Sequence, residues 1–134
     1  MTDINVELKG PKGPQIKESL LPTVVAGYTR GLAVVYGADA YHATLAASAG
    51  EAIVGLIEED AISLDNPIAV IEHGQAVAQI GGAVTAGAFL SVNATGQLIA
   101  TASTKAIVAK ALEAGSTAGD FILVFVLGGG AVTA

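Results

Sequence analysis

Residues 51–77, EAIVGLIEEDAISLDNPIAVIEHGQAV, and residues 105–131, KAIVAKALEAGSTAGDFILVFVLGGGA, align without a gap at a spacing of 54 positions. The two stretches share Ala-Ile-Val at their start, Glu59 with Glu113, Ile68 with Ile122, Val70 with Val124, and Gly74 with Gly128. The later part of each, PIAVIEHG and DFILVFVL, is short, β-branched and bounded by turn residues, which is the pattern of a strand. The earlier part of the second copy has a competing reading. In STKAIVAKALEAG, Ser103 or Thr104 could cap a helix, Ile107, Val108, Ala111 and Leu112 would form one face, and Gly115 would end it. The match to residues 51–77 favours strands at both places, so the expected building block is a strand, a turn and a strand, used twice.

Working outward, the same rhythm fills the chain from Gly31. GLAVVYG, YHATLA, AIVGLIE, PIAVIEHG, AVAQIGG, GAFLSV, QLIAT and DFILVFVL recur about every ten residues, the spacing of an all-β protein. Between GAFLSV and QLIAT stands NATG, where Asn93 and Gly96 suit a tight turn, so these segments should form an antiparallel hairpin. The region around it, residues 76–103, has no charged side chain. Val84, Phe89, Leu90 and Leu98 are therefore expected in the core or at a subunit interface. The expected fold is all-β, a small β-barrel or sandwich body over residues 31–134, with one possible short helix, preceded by an extended arm over residues 1–30.

Composition supports one core. The chain has 134 residues, 52% of them hydrophobic but only 4% aromatic, so its interior must be packed from Ala, Val, Ile and Leu. A domain of this size buries about two-thirds of its unfolded surface, and self-association would add to that. The chain has no cysteine, which excludes disulfide frameworks, thiol nucleophiles and cysteine zinc sites. MTDINVELKGPKGP lacks the basic and apolar regions of a secretory signal. The longest apolar run, FILVFVLGGGAV, is shorter than the ~20 residues of a spanning helix, and no membrane association is expected.

Charge separates the arm from the body. Residues 1–30 carry a net charge of +1 and the remainder −7. An acidic body repels phosphates, and nothing interleaves basic with aromatic residues, so nucleic acid is not an expected partner. In the arm, KGPKGP breaks both helix and strand through Gly10, Pro11, Gly13 and Pro14. The QIKESLLPTVV that follows could form a short helical turn before Pro22 or stay irregular. The arm is either a disordered terminus or a segment that gains structure on a neighbouring molecule.

The inventory for catalysis is sparse. His42 and His73 are the only histidines. Glu72 and His73 are adjacent on an expected strand and should point to opposite faces, which would keep them from acting together. Glu58, Glu59 and Asp60, with Asp65, lack the glycine-centred twelve-residue loop of a calcium site and read as a solvated turn. GGAVTAG has no lysine and no helix after it, so it is a poor phosphate cradle. No serine sits in a nucleophile elbow. The reading is a protein that is not an enzyme and uses no metal or cofactor.

AGYTRGLAVVYGADAYHATLAASAGEAIVGLIEED, HGQAVAQIGGAVTAGAFLSVNATGQLIATAS and KAIVAKALEAGSTAGDFILVFVLGG together resemble the capsid cement, or head decoration, proteins of tailed bacteriophages. The resemblance covers residues 26–128. It rests on Gly31 to Gly37, Ile53 to Leu56, Val84 to Leu90, Ala94 to Gly96, and Gly119 with Asp120. It implies an all-β virion structural protein, made in the host cytoplasm and placed on the capsid exterior. There it would act as a homotrimer that clamps neighbouring major capsid protein subunits after expansion. The Gly-Pro arm is not part of the family's pattern, and its docking role is inferred by analogy: Ile16, Leu20, Leu21 and Val24 would contact the shell while Lys9, Lys12 and Lys17 meet acidic capsid groups. Two other classes stay open, a surface adhesin, for which three Tyr and three Phe are a thin supply of sugar platforms, and a ligand-binding β-barrel module.

Overall fold

The computed structural model describes residues 14–102 and 105–127 and the backbone of residues 132 and 133. The strands in chain order are β1 Gln15–Pro22, β2 Ala33–Tyr36, β3 His42–Leu45, β4 Gly55–Ile57, β5 Ile68–Gln79, β6 Phe89–Val92, β7 Leu98–Ala100, β8 Ala106–Ile107, β9 Ala109–Ala111, β10 Phe121–Val126 and β11 Val132–Thr133. Nine of them form one mixed sheet, and β8 pairs with β11 in a separate two-stranded piece. No helix occurs among the described residues. The stretch with two readings is therefore strand at Ala106–Ile107 and Ala109–Ala111, as the internal match indicates.

The repeat holds down to the register. Leu56 pairs with Ile71 and Ile57 with Val70 between β4 and β5. Lys110 pairs with Phe125 and Ala111 with Val124 between β9 and β10, the same pairs 54 residues later. Turn hydrogen bonds repeat as well. The Glu58 amide donates to Ala69 O at 2.9 Å, and the Leu112 amide to Leu123 O at 2.9 Å. β2 and β3 pair as a hairpin in one unit, β6 and β7 in the other. Even the parallel contact recurs, as Pro22 with Ala43 in the first unit and as an isolated bridge of Ile80 with Leu98 in the second.

By these equivalences β5 serves both units. Its first part closes the first unit against β1 and β4, and its later part plays for the second unit the role that β1 plays for the first. The small β-barrel expected from the strand spacing is not formed. The shared strand keeps the sheet continuous from one unit into the other, giving a mixed sheet instead.

A β-bulge divides β5. Ile16 faces His73 while Lys17 faces Ile71, which leaves Glu72 as the extra residue. One extra residue inverts the in-and-out alternation of a strand. Ile68 and Val70 thus enter a smaller cluster with Leu20, Val34 and Ile57, whereas Ile71, Ala76, Ala78 and Ile80 enter a larger one with Leu90, Leu98 and Val124. Directly after the bulge Gly74 has φ 111°, and a Cβ there would lie 2.6 Å from Pro14 O, so only glycine fits this crossing.

The segment expected to be irregular or briefly helical is β1. It lies antiparallel to β5 along Gln15 to Leu20 and parallel to β3 at Leu21 and Pro22. Pairing on β5 satisfies its backbone, and burial of Leu20, 1% exposed, ties it to the core. Residues 15–22 thus belong to the sheet and not to a free arm.

Candidate functional site

The residues assigned from sequence to a docking arm fall in different environments. Lys9 and Lys12 lie outside the described residues. Ile16 is 59% and Val24 50% exposed, and Leu21 is half-buried. Lys17 is committed to Glu58, its Nζ donating to Oε2 at 2.8 Å and Oε1 at 3.1 Å. Leu20 is a core residue and is removed from the set, because a side chain inside the sheet cannot also meet a shell.

Of the residues assigned to core or interface, Val84, Leu90 and Leu98 are buried in the larger cluster. Phe89 is not: it stands on the outer face, half-exposed. The hairpin turn after β6 is organised by Asn93. Its Oδ1 accepts from the amides of Thr95 and Gln97 at 2.9 and 3.0 Å, and Gly96 supplies the positive φ of 83°.

The histidines and the acidic turn do not converge. His42 Nδ1 lies 2.8 Å from Asp39 Oδ1 within one loop, and that hydrogen bond, before all else, lowers the Asp39 carboxyl below its usual range. His73 packs edge-on against Phe125 with ring centroids 5.2 Å apart. Glu58, Glu59 and Asp60 line a different groove with Lys17 and Arg30, and Asp60 accepts from the Arg30 amide at 2.8 Å. Among the described residues no group of three or more His, Asp or Glu is placed to hold a metal, and no helix is long and apolar enough to cross a membrane.

A groove of about 620 Å³ does exist, lined by Ile16, Val35, Tyr36, Ile53, Glu72 and His73 among others. The bulge is what brings Glu72 and His73 to one groove, against the opposite-face expectation from simple alternation. Beside it Tyr36 Oη donates to Glu18 at 2.9 Å, and that hydrogen bond, with burial and the nearby carboxylates, raises the tyrosine pKa. A hydrogen bond with Glu18, burial and the charge of Glu18 push Glu72 up from 4.5 to about 7. Glu72 was weighed only against its neighbour His73, and its meeting with Glu18 and Tyr36 was not legible in the sequence because the three lie on three strands. The one local signal was Glu-His-Gly inside an otherwise apolar strand, a composition that suits a bulge.

One surface stands out on the second unit. Gln75, Phe125, Lys110 and Phe89 form a row across β5, β10, β9 and β6. Phe89, Phe121 and Leu112 are exposed, at 50%, 48% and 39%, while Phe125 is partly buried against His73. All three phenylalanines of the chain are absent from the buried core and sit in the non-core positions of β6 and β10.

The chain matches no protein-family model and no curated protein.

Proposed function

We propose that the protein is a virion structural protein that binds the outside of an expanded phage capsid and stabilises it by bridging major capsid protein subunits. The observation that carries this reading is the placement of the segments that resemble capsid cement proteins. Gly31 to Gly37 and Val84 to Leu90 lead into β2 and β6, while Ile53 to Leu56 leads into β4. The segments that carry the resemblance thus overlap three strands of the sheet. Ile16 and Val24 offer apolar contact on β1 and just after it.

Bridging works by linkage of modest contacts. Several weak interfaces joined in one molecule gain about 10²- to 10⁴-fold in effective affinity, because the molecule leaves only when all of them are open at once. A bridge of that kind holds subunits that internal pressure would part.

The test is to mix purified protein with undecorated expanded capsids and image them. Full-length protein is expected to decorate the shell, and a variant lacking residues 1–13 is expected to stay folded and bind weakly. Deletion through residue 25 is unsuitable, since it removes β1 and Leu20. An absence of decoration by the full chain overturns the proposal.

The groove at Glu72 and His73 favours a second reading, a small-molecule-binding module. A thermal shift on addition of one compound from a metabolite panel, lost in a Tyr36→Ala variant, would support it.

A further inference from the structure

The groove beside the β5 bulge has apolar walls and one acidic end. Ile16 of β1, Val35 of β2, and Ile53 and Val54 ahead of β4 make the walls. At the acidic end Tyr36 Oη donates to the two Glu18 carboxylate oxygens at 2.9 and 3.2 Å, and Glu72 shares a hydrogen bond with the same carboxylate. A hydrogen bond between two carboxyl groups needs a proton on one of them. Two acids from neighbouring strands thus stand against an apolar surface with a single proton between them. No basic side chain answers them. Among the described residues no lysine or arginine lines the groove, and Lys17, next to Glu18 on β1, is paired with Glu58 at 2.8 Å. Glu72 itself is the extra residue of the bulge, opposite no residue of β1, and bulges are a means of re-aiming a side chain at a site.

We propose that this groove binds an organic cation, its ammonium group seated at Glu18 and Glu72 in place of their shared proton and its apolar stem lying along Ile16, Val35 and Ile53. This rests on the small-molecule reading of the groove and names the chemistry of the ligand. Charge decides the class. An anionic head would face two acids with no basic partner, and a hydroxyl would only exchange water's hydrogen bonds for equivalent ones. An ammonium brings three donors and the charge that the pair lacks. A bare metal ion is not the occupant, since no group of three or more His, Asp or Glu among the described residues is placed to hold one, and burial of an apolar stem supplies the rest of the affinity. Binding and protonation then compete. The titrating groups around the ammonium are Glu18 on β1, Tyr36 on β2, and Glu72 and His73 on β5. Glu72 keeps its proton up to about pH 7, so a cation bound below that pH expels it, and affinity rises as pH climbs to about 7.

The test titrates the purified full chain, by calorimetry from mildly acid to mildly alkaline pH, with hexylammonium, hexanol and hexanoate, which share one stem and differ in the charge of the head. Hexylammonium is expected to bind about tenfold more tightly than hexanol at neutral pH, with hexanoate weakest. Its affinity should rise with pH up to about 7, and on the acid side its binding should release a proton, read from the heats in buffers of different ionisation enthalpy. Glu72→Gln and Glu18→Gln should each bring hexylammonium down to the level of hexanol while hexanol itself is unaffected. Two variants guard against one failing to fold, which far-ultraviolet circular dichroism checks. His73→Gln should keep the pH dependence, assigning it to the carboxyl pair. Hexanol bound as tightly as hexylammonium, or hexanoate preferred, overturns the cation assignment and leaves the groove a small-molecule site. Unchanged hexylammonium affinity in the folded glutamine variants overturns it too. So does binding of none of the three, and the metabolite panel then decides separately whether the groove takes any small molecule.

Discussion

Gly31 and Gly87 are the same residue of two repeats. Their φ angles are 87° and 86°, and their amides donate to Ile57 O and Ala111 O, both at 2.8 Å, from acceptors 54 positions apart. Each starts the turn into the first strand of its hairpin. Their surroundings differ, because only Gly31 is pressed against another part of the chain.

That difference gives a paired prediction. An alanine in the left-handed region costs roughly 1–2 kcal/mol, and this is the loss expected for Gly87→Ala, whose new Cβ would meet nothing within 4 Å. In Gly31→Ala the Cβ would lie 2.7 Å from Gln79 N, a backbone atom of β5, so the loss should be clearly larger. Urea denaturation of both variants checks this. Equal losses would remove the argument that Gly31 seats the first unit on β5.

Glu72 sets a pH dependence. Its folded pKa, about 7, lies above the ordinary 4.5, so the folded state holds this proton more tightly than the unfolded chain. The stability from this group is complete below pH 4.5 and declines as pH rises to about 7. Glu72→Gln, neutral throughout, should show a shallower decline over that window, measured by chemical denaturation from acid to neutral pH. Parallel profiles for parent and variant would show that the Glu18–Glu72 contact does not hold the proton.

The hairpin turn depends on one acceptor. Asn93→Ala removes the oxygen that serves the Thr95 and Gln97 amides, at about 0.5–1.5 kcal/mol for each bond, so a loss of about 1–3 kcal/mol is expected. Asn93→Asp keeps the acceptor and should recover most of it. Thermal unfolding of the three proteins decides the matter, and no difference between Ala and Asp would count against it.

Two residues of β1 should behave as opposites. Leu20→Ala empties a core position and should cost about 2–5 kcal/mol, whereas Ile16→Ala, at a site 59% exposed, should leave stability nearly unchanged. If Ile16 belongs to the capsid-facing surface, Ile16→Asp should weaken decoration while the melting temperature holds. The exposed pair of Lys17 with Glu58 should contribute at most about 1 kcal/mol, read from Lys17→Ala in the same denaturation experiment.

The amino-acid sequence by itself determined the elements. Short β-branched runs, turn residues at NATG, and the match of residues 51–77 to 105–131 are local features, and local backbone preference needs no partner to be expressed. They placed the strands from β2 to β10, including Ala109–Ala111, which helix signals disputed. Tertiary structure decided which faces are buried. In FILVFV both alternate sets, Phe121, Leu123 and Phe125 against Ile122, Val124 and Val126, are apolar, so alternation cannot choose between them. The choice came from packing, with Ile122, Val124 and Val126 taken into the core. The same holds for β1, whose Gly-Pro approach reads as a free arm until its pairing on β5 is seen. It holds also for Glu72 and His73, brought to one groove by a bulge. Burial is a property of pairs of surfaces, and a one-residue shift on β5 inverts it for everything that follows.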